Sequence, residues 1–166
     1  MTSKQPFTFK LLSASGIEPT NEILEVLSSR EELMSLSQEA HDACIIPKDS
    51  GGISLSERAA LASRMCNLNS EHQLANYYAG MVPSGDPALQ MADPLLKMTD
   101  SPRIDCMLKH TDLVTTHPKD TIASDIQHLE ANGFSTADIV RLSELIAFVN
   151  YTIRVVKGVR LMEGIL

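Results

Sequence analysis

The segment from Asp138 to about Lys157 constrains the fold more than any other. Ile139, Leu142, Leu145, Ile146, Phe148, Val149, Ile153, Val155 and Val156 recur there at helical spacing, on more than one face. A helix that is apolar on several sides must be covered on several sides. It is therefore expected to be central, or to be shared between subunits. Ser135, three residues before Asp138, supplies a capping-type start, with aspartate in the acceptor position. Gly158 is expected to loosen the helix, leaving residues 160 to 166 as a short tail.

The rest of the chain can supply that cover only with more helices. Pro19-Thr20 introduces a short helix with Ile23, Leu24 and Leu27 as its stripe, and a second starts near Arg30 with Leu33, Leu36 and Ala40 on one face. Asp49-Ser50-Gly51-Gly52 reads as a turn before two helices in series over 54–82. Both match the capping box, through Ser54 with Glu57 and Ser70 with Gln73. Their buried stripes are expected to be Leu55, Ala59, Ala62, Met65 and Cys66, then Leu74, Ala75, Tyr78, Met81 and Val82. A proline-rich loop with a short helical piece near 86–92 follows. Then come a helix over 103–116 and another with Ile122, Ile126 and Leu129 inward, stopped at Asn132-Gly133. Phe7, Phe9 and Leu11 alternate, so residues 1–19 read as an extended arm. No strand pair, glycine-rich phosphate loop or tandem repeat is apparent, and the expectation is one all-α bundle domain over residues 1–166.

Charge and cysteine usage narrow the function classes. The 166 residues carry 21 acidic and 14 basic side chains, a net charge of −7, which disfavours a duplex nucleic-acid binder. Lys157 and Arg160 make only a thin positive patch. No apolar run approaches a membrane span, and no signal peptide is evident, so a cytoplasmic location is expected. Cys44, Cys66 and Cys106 are far apart, with neither CxxC nor zinc spacing. His110, Asp112, His117 and His128 form no recognisable ligand set and HEXXH is absent, so neither a metal nor a cofactor is expected.

The break between the paired helices is the best-shaped candidate pocket. A helix start there offers free N–H groups and a positive dipole end beside apolar side chains. His72, Tyr77 and Tyr78 lie on or near that helix, and only one tyrosine can share a face with its first turn. Glu57 and Arg58 carry two readings. They form a buried ion pair reaching the pocket, or Glu57 merely caps its helix while Arg58 meets solvent. Asn150 and Arg154, one turn apart on an apolar face, need partners in either a structural network or an interface.

The stretches LSERAALASRMCNLNSEHQLANYYAGM and PKDTIASDIQHLEANGFSTADIVRLSELIAFVNYTIRVVKG resemble the AhpD-like, or carboxymuconolactone decarboxylase, superfamily, in particular its peroxidase-related members. The resemblance covers roughly residues 50 to 160 and implies an AhpD-like helical bundle that assembles as a dimer or higher homo-oligomer. Active members carry Cys-x-x-Cys-x-x-x-His at a helix start, with a glutamate on the preceding helix. A lowered thiol pKa there reduces peroxide, and a second cysteine resolves the sulfenic acid. On this chain the cysteines fall at Ser70 and Gln73, the histidine at Tyr77, and the glutamate at Arg58, or at Glu57 with a one-residue slip. The redox pair is missing.

Three expectations follow. The first is acid–base chemistry on a small organic acid without cysteine, with Glu57, Arg58, Ser70, His72 and Tyr77 as the site, Arg58 holding a carboxylate and Tyr77 or His72 moving a proton. The second is a non-catalytic structural or partner subunit of a related peroxidase. The third is residual one-cysteine peroxidase activity through Cys66.

Overall fold

A computed structural model describes residues 10–164. Among the described residues eight α-helices follow one another: α1 (Lys10–Ala14), α2 (Asn21–Ser28), α3 (Glu31–Ile45), α4 (Leu55–Leu68), α5 (His72–Ala79), α6 (Pro102–Thr116), α7 (Ala123–Ala131) and α8 (Thr136–Glu163). Short 3-10 turns occupy Pro87–Ala92 and Pro118–Asp120, and no strand occurs among the described residues. The protein is an all-α bundle.

Capping explains where most helices begin. Ser54 accepts the Glu57 N–H at 3.1 Å while Glu57 Oε2 accepts the Ser54 N–H at 2.8 Å, a complete capping box for α4. Thr20, Ser101 and Ser135 accept the third N–H of α2, α6 and α8. Asp138 does not complete a box with Ser135; its Oδ1 instead accepts the Gly52 N–H at 2.8 Å. That bond ties the turn before α4 to the start of α8. A Cβ on Gly52 would sit 2.6 Å from Asp138 Oδ2, so the close approach requires glycine.

α4 is the hub. Every residue from Arg58 to Cys66 is buried, with α5, α6, α8, α3 and the 87–92 turn packed around it. α8 is the long flank, buried along Leu142, Leu145, Ile146, Val149, Ile153 and Val156 but exposed at Val140, Tyr151 and Leu161. It runs through Gly158 to Glu163, further than expected, because Val156, Val159 and Arg160 have tertiary partners that outweigh one glycine.

Several expected faces are corrected. Residues 10–14 of the proposed arm form α1, because Leu12 breaks the alternation and lies buried beside Leu11; Phe7 and Phe9 lie outside the described residues. α3 buries Met34, Ser37, His41 and Ile45, leaving Leu33 and Leu36 48% and 53% exposed. Both sides of α3 carry apolar residues at helical spacing, so periodicity alone does not select one. Leu55 is exposed on the first turn of α4, and Ile122, just before α7, faces solvent with only Leu129 of that stripe buried. No described helix is long and apolar enough to cross a membrane.

Candidate functional site

The chain reverses between α4 and α5 over three residues. The Glu71 N–H returns to Cys66 O at 2.9 Å, and Ser70 sits at φ 62°. That left-handed conformation is costly for a residue with a Cβ, about 1 kcal/mol or more. The second expected capping box is therefore corrected. Ser70 precedes the helix by two residues, its side chain does not cap α5, and the cap position belongs to Glu71. Ser70, His72 and Gln73 face outward. His72 Nδ1 lies 3.3 Å from Asn67 Oδ1, and Gln73 covers Gly16 so closely that a Cβ there would overlap its Oε1.

Beneath this turn lies an ion pair. Glu71, 3% exposed, takes two hydrogen bonds from Arg160 Nη1, each 2.7 Å, and Arg160 Nη2 donates to Ser15 O. The basic residue read as part of a thin surface patch thus staples α8 to α5 and to the end of α1. Next to it, Cys66 is fully buried. Burial first, and the Glu71 carboxylate second, push its thiol far above the ordinary range. An activated cysteine needs the opposite setting, an accessible sulfur near positive charge.

Arg58 is buried as well. Its Nε donates to Ile53 O at 3.0 Å, Nη1 to Cys44 O at 2.8 Å and Nη2 to Ser50 O at 2.9 Å. Glu57 pairs with Arg103 at 2.7 Å instead, and Arg103 stacks 4.7 Å over Phe134. Glu57 follows the capping reading, and Arg58 follows neither expectation: it clasps the main chain of the last turn of α3 and of the α3–α4 connection. Tyr77 is half-buried with its ring 5.3 Å from Tyr78, edge to face. Burial, then Asp42, raises its phenol pKa. The structure therefore spreads Glu57, Arg58, Ser70, His72 and Tyr77 over the two ends of α4 and over α5, each with separate neighbours.

Sequence reasoning passed over a second polar group. His41 Nδ1 meets Asp42 Oδ1 at 2.9 Å, and the His41 ring stacks on Tyr78, centroids 6.1 Å apart. His41 Nε2 and the Tyr78 hydroxyl are buried and without partners among the described residues. The signal available was slight: His41 lies one turn after Ser37 on the face of α3 that is less apolar. Arg64 was also missed, although an arginine in the middle of a small-residue apolar helix demands an acceptor set.

No protein-family model matches this chain, and no curated protein is similar to it. Solved structures do match. An uncharacterized peroxidase-related protein from Silicibacter sp. TM1040 superposes with a TM-score of 0.68 at 19% identity, over 92% of this chain and 80% of the other. The alkylhydroperoxidase AhpD core of an uncharacterized peroxidase-related protein from Ralstonia eutropha JMP134 gives 0.58 at 22% identity, over 90% and 78%. The fold is AhpD-like. At these identities the likeness establishes the architecture alone.

Proposed function

We propose that this chain is an AhpD-related subunit, peroxidase-related by descent, that does not reduce peroxides through a thiol and serves as a non-catalytic structural or partner subunit. One observation carries the reading. The cysteine nearest the expected redox position, Cys66, is sealed from solvent beside the buried carboxylate of Glu71. Acid–base chemistry led by Arg58 is less well supported, since a carboxylate would have to displace three main-chain bonds. The test is peroxide consumption with a dithiol as reductant, for the parent protein and for Cys66→Ser, Cys44→Ser and Cys106→Ser. All four are expected to match the protein-free rate. Thiol-dependent turnover abolished by any one of these changes overturns the proposal.

Homo-oligomer formation is the second part of this reading. Val26, Leu33 and Leu36 present apolar side chains to solvent on α2 and α3, although the core of the subunit is already closed beneath α3. Exposed apolar groups of this kind favour burial against another subunit. Light scattering is expected to show a dimer or larger species for the parent and a monomer for Leu33→Glu/Leu36→Glu. A monomeric parent, or an assembly unaffected by the two glutamates, removes α3 as the interface.

A further inference from the structure

Between α6 and α7 lies a cavity of about 470 Å³ with Leu108, Leu113 and Cys106 among its walls. A second hollow of about 350 Å³ shares His110 and Asp125 with it as lining residues. The volume suits a small organic molecule. His110 is 7% exposed, and its Nδ1 is buried without a partner among the described residues. Burial lowers its pKa, which leaves a neutral imidazole facing the cavities.

The hydrogen-bonding capacity left over in the main cavity has a definite sign. Arg64 is spent on Asp112 at 2.6 and 2.7 Å, and Lys97 on the same carboxylate at 3.0 Å. Among the described residues Asp105 uses only Oδ1, on the Thr99 amide and hydroxyl, and Asp125 uses only Oδ2, on the Ile122 N–H. His128 Nδ1 is 2.8 Å from the Ser124 carbonyl, so that nitrogen carries a proton, a tautomer in which Nε2 is the acceptor. The Asn132 amide nitrogen donates to His128 O, leaving its oxygen free. Unspent acceptors therefore include one oxygen each on Asp105, Asp125 and Asn132, together with His128 Nε2. Lys109 is the opposing cation without a hydrogen-bonded partner among the described lining residues. A net charge of −7 adds attraction for a cation.

We propose that the α6–α7 cleft binds a primary ammonium carried on a small apolar body, the ammonium donating to Asp105, Asp125 and His128 while the body lies against Leu108 and Leu113. The cleft is separate from the α4–α5 turn, and the peroxide assay above does not read it. Either proposal can fail alone.

Titration calorimetry with 2-phenylethylamine tests the cleft, with 3-phenylpropionate as an acid control on the same phenylethyl body and 2-phenylethanol as the isosteric neutral control. The amine is expected to bind at least about tenfold tighter than either control, the scale of one charge-assisted hydrogen bond. Asp125→Asn and Asp105→Asn retain an acceptor for Ile122 and Thr99, and each is expected to weaken the amine about tenfold while circular dichroism stays unchanged. Failure of the amine to bind, equal or tighter binding of the acid, or unchanged affinity in both variants overturns the proposal.

Discussion

Arg64→Ala is expected to be the most damaging single substitution in this chain, costing about 3–5 kcal/mol, the range for stranding one partner of a buried ion pair. Arg64 is fully buried in α4. It bonds Asp112 with two nitrogens, and it donates to the carbonyls of Met91, Asp93, Pro94 and Leu96. One guanidinium thereby holds the proline-rich 87–96 segment and α6 against α4. Removing it leaves Asp112 with only the exposed Lys97, and strips several carbonyls of their donor at once. For a chain of this length the loss corresponds to a fall of roughly 10 °C in melting temperature. Arg64→Lys should recover little, because an ammonium cannot reproduce the planar fork. Urea unfolding followed by circular dichroism checks this. A loss below about 1 kcal/mol would mean that the clasp has the small worth of a surface pair.

Arg58→Ala is expected to have the next largest effect, about 3 kcal/mol, also on stability. Its three donors satisfy one carbonyl in the last turn of α3 and two in the α3–α4 connection, and a charged donor to a buried acceptor is worth about 1.5–3 kcal/mol. The apolar side of the ledger is small, since the turn it organises is short and polar. This substitution also separates two functions. As a main-chain clasp, Arg58 changes the unfolding midpoint and changes no ligand affinity. If Arg58→Ala keeps the parent midpoint yet loses binding of a small carboxylate in calorimetry, the side chain holds ligand instead, and the acid–base reading of the site returns.

The two arginines show where local reasoning stops. The α4 sequence announced its cap and its small-residue interior, and Ser54 and Glu57 form the box as read. The destinations of Arg58 and Arg64 were not legible, because their acceptors lie up to 48 residues away. The same holds for Glu71, whose partner Arg160 stands 89 residues further on. Ser70 illustrates a different failure. Its spacing to Gln73 matched a capping box, but the return of the Glu71 N–H to Cys66 O tightened the turn and moved the helix start past it. A local bond of the main chain outcompeted a local bond of the side chain.

The faces of α3 and the residues around α7 add a third case. Leu33 and Leu36 match helical spacing as well as Met34 and Ile45 do, and only packing against α4 and α8 decides which set is buried. The cleft between α6 and α7 is likewise invisible to spacing. His110 and His128 come together with Asp125 only because two helices lie side by side.

By itself, the sequence determined that this protein is helical, where helices such as α4 and α8 are capped, and that the redox cysteines of the family it resembles are absent. Those features depend on residues within one turn of each other, where hydrogen-bond geometry and side-chain period are fixed by the main chain. The tertiary structure decided which faces are buried, which charges neutralise which, and that Cys66 is sealed beside a carboxylate. Those outcomes depend on groups distant in the chain, whose desolvation and pairing exist only once the helices have packed.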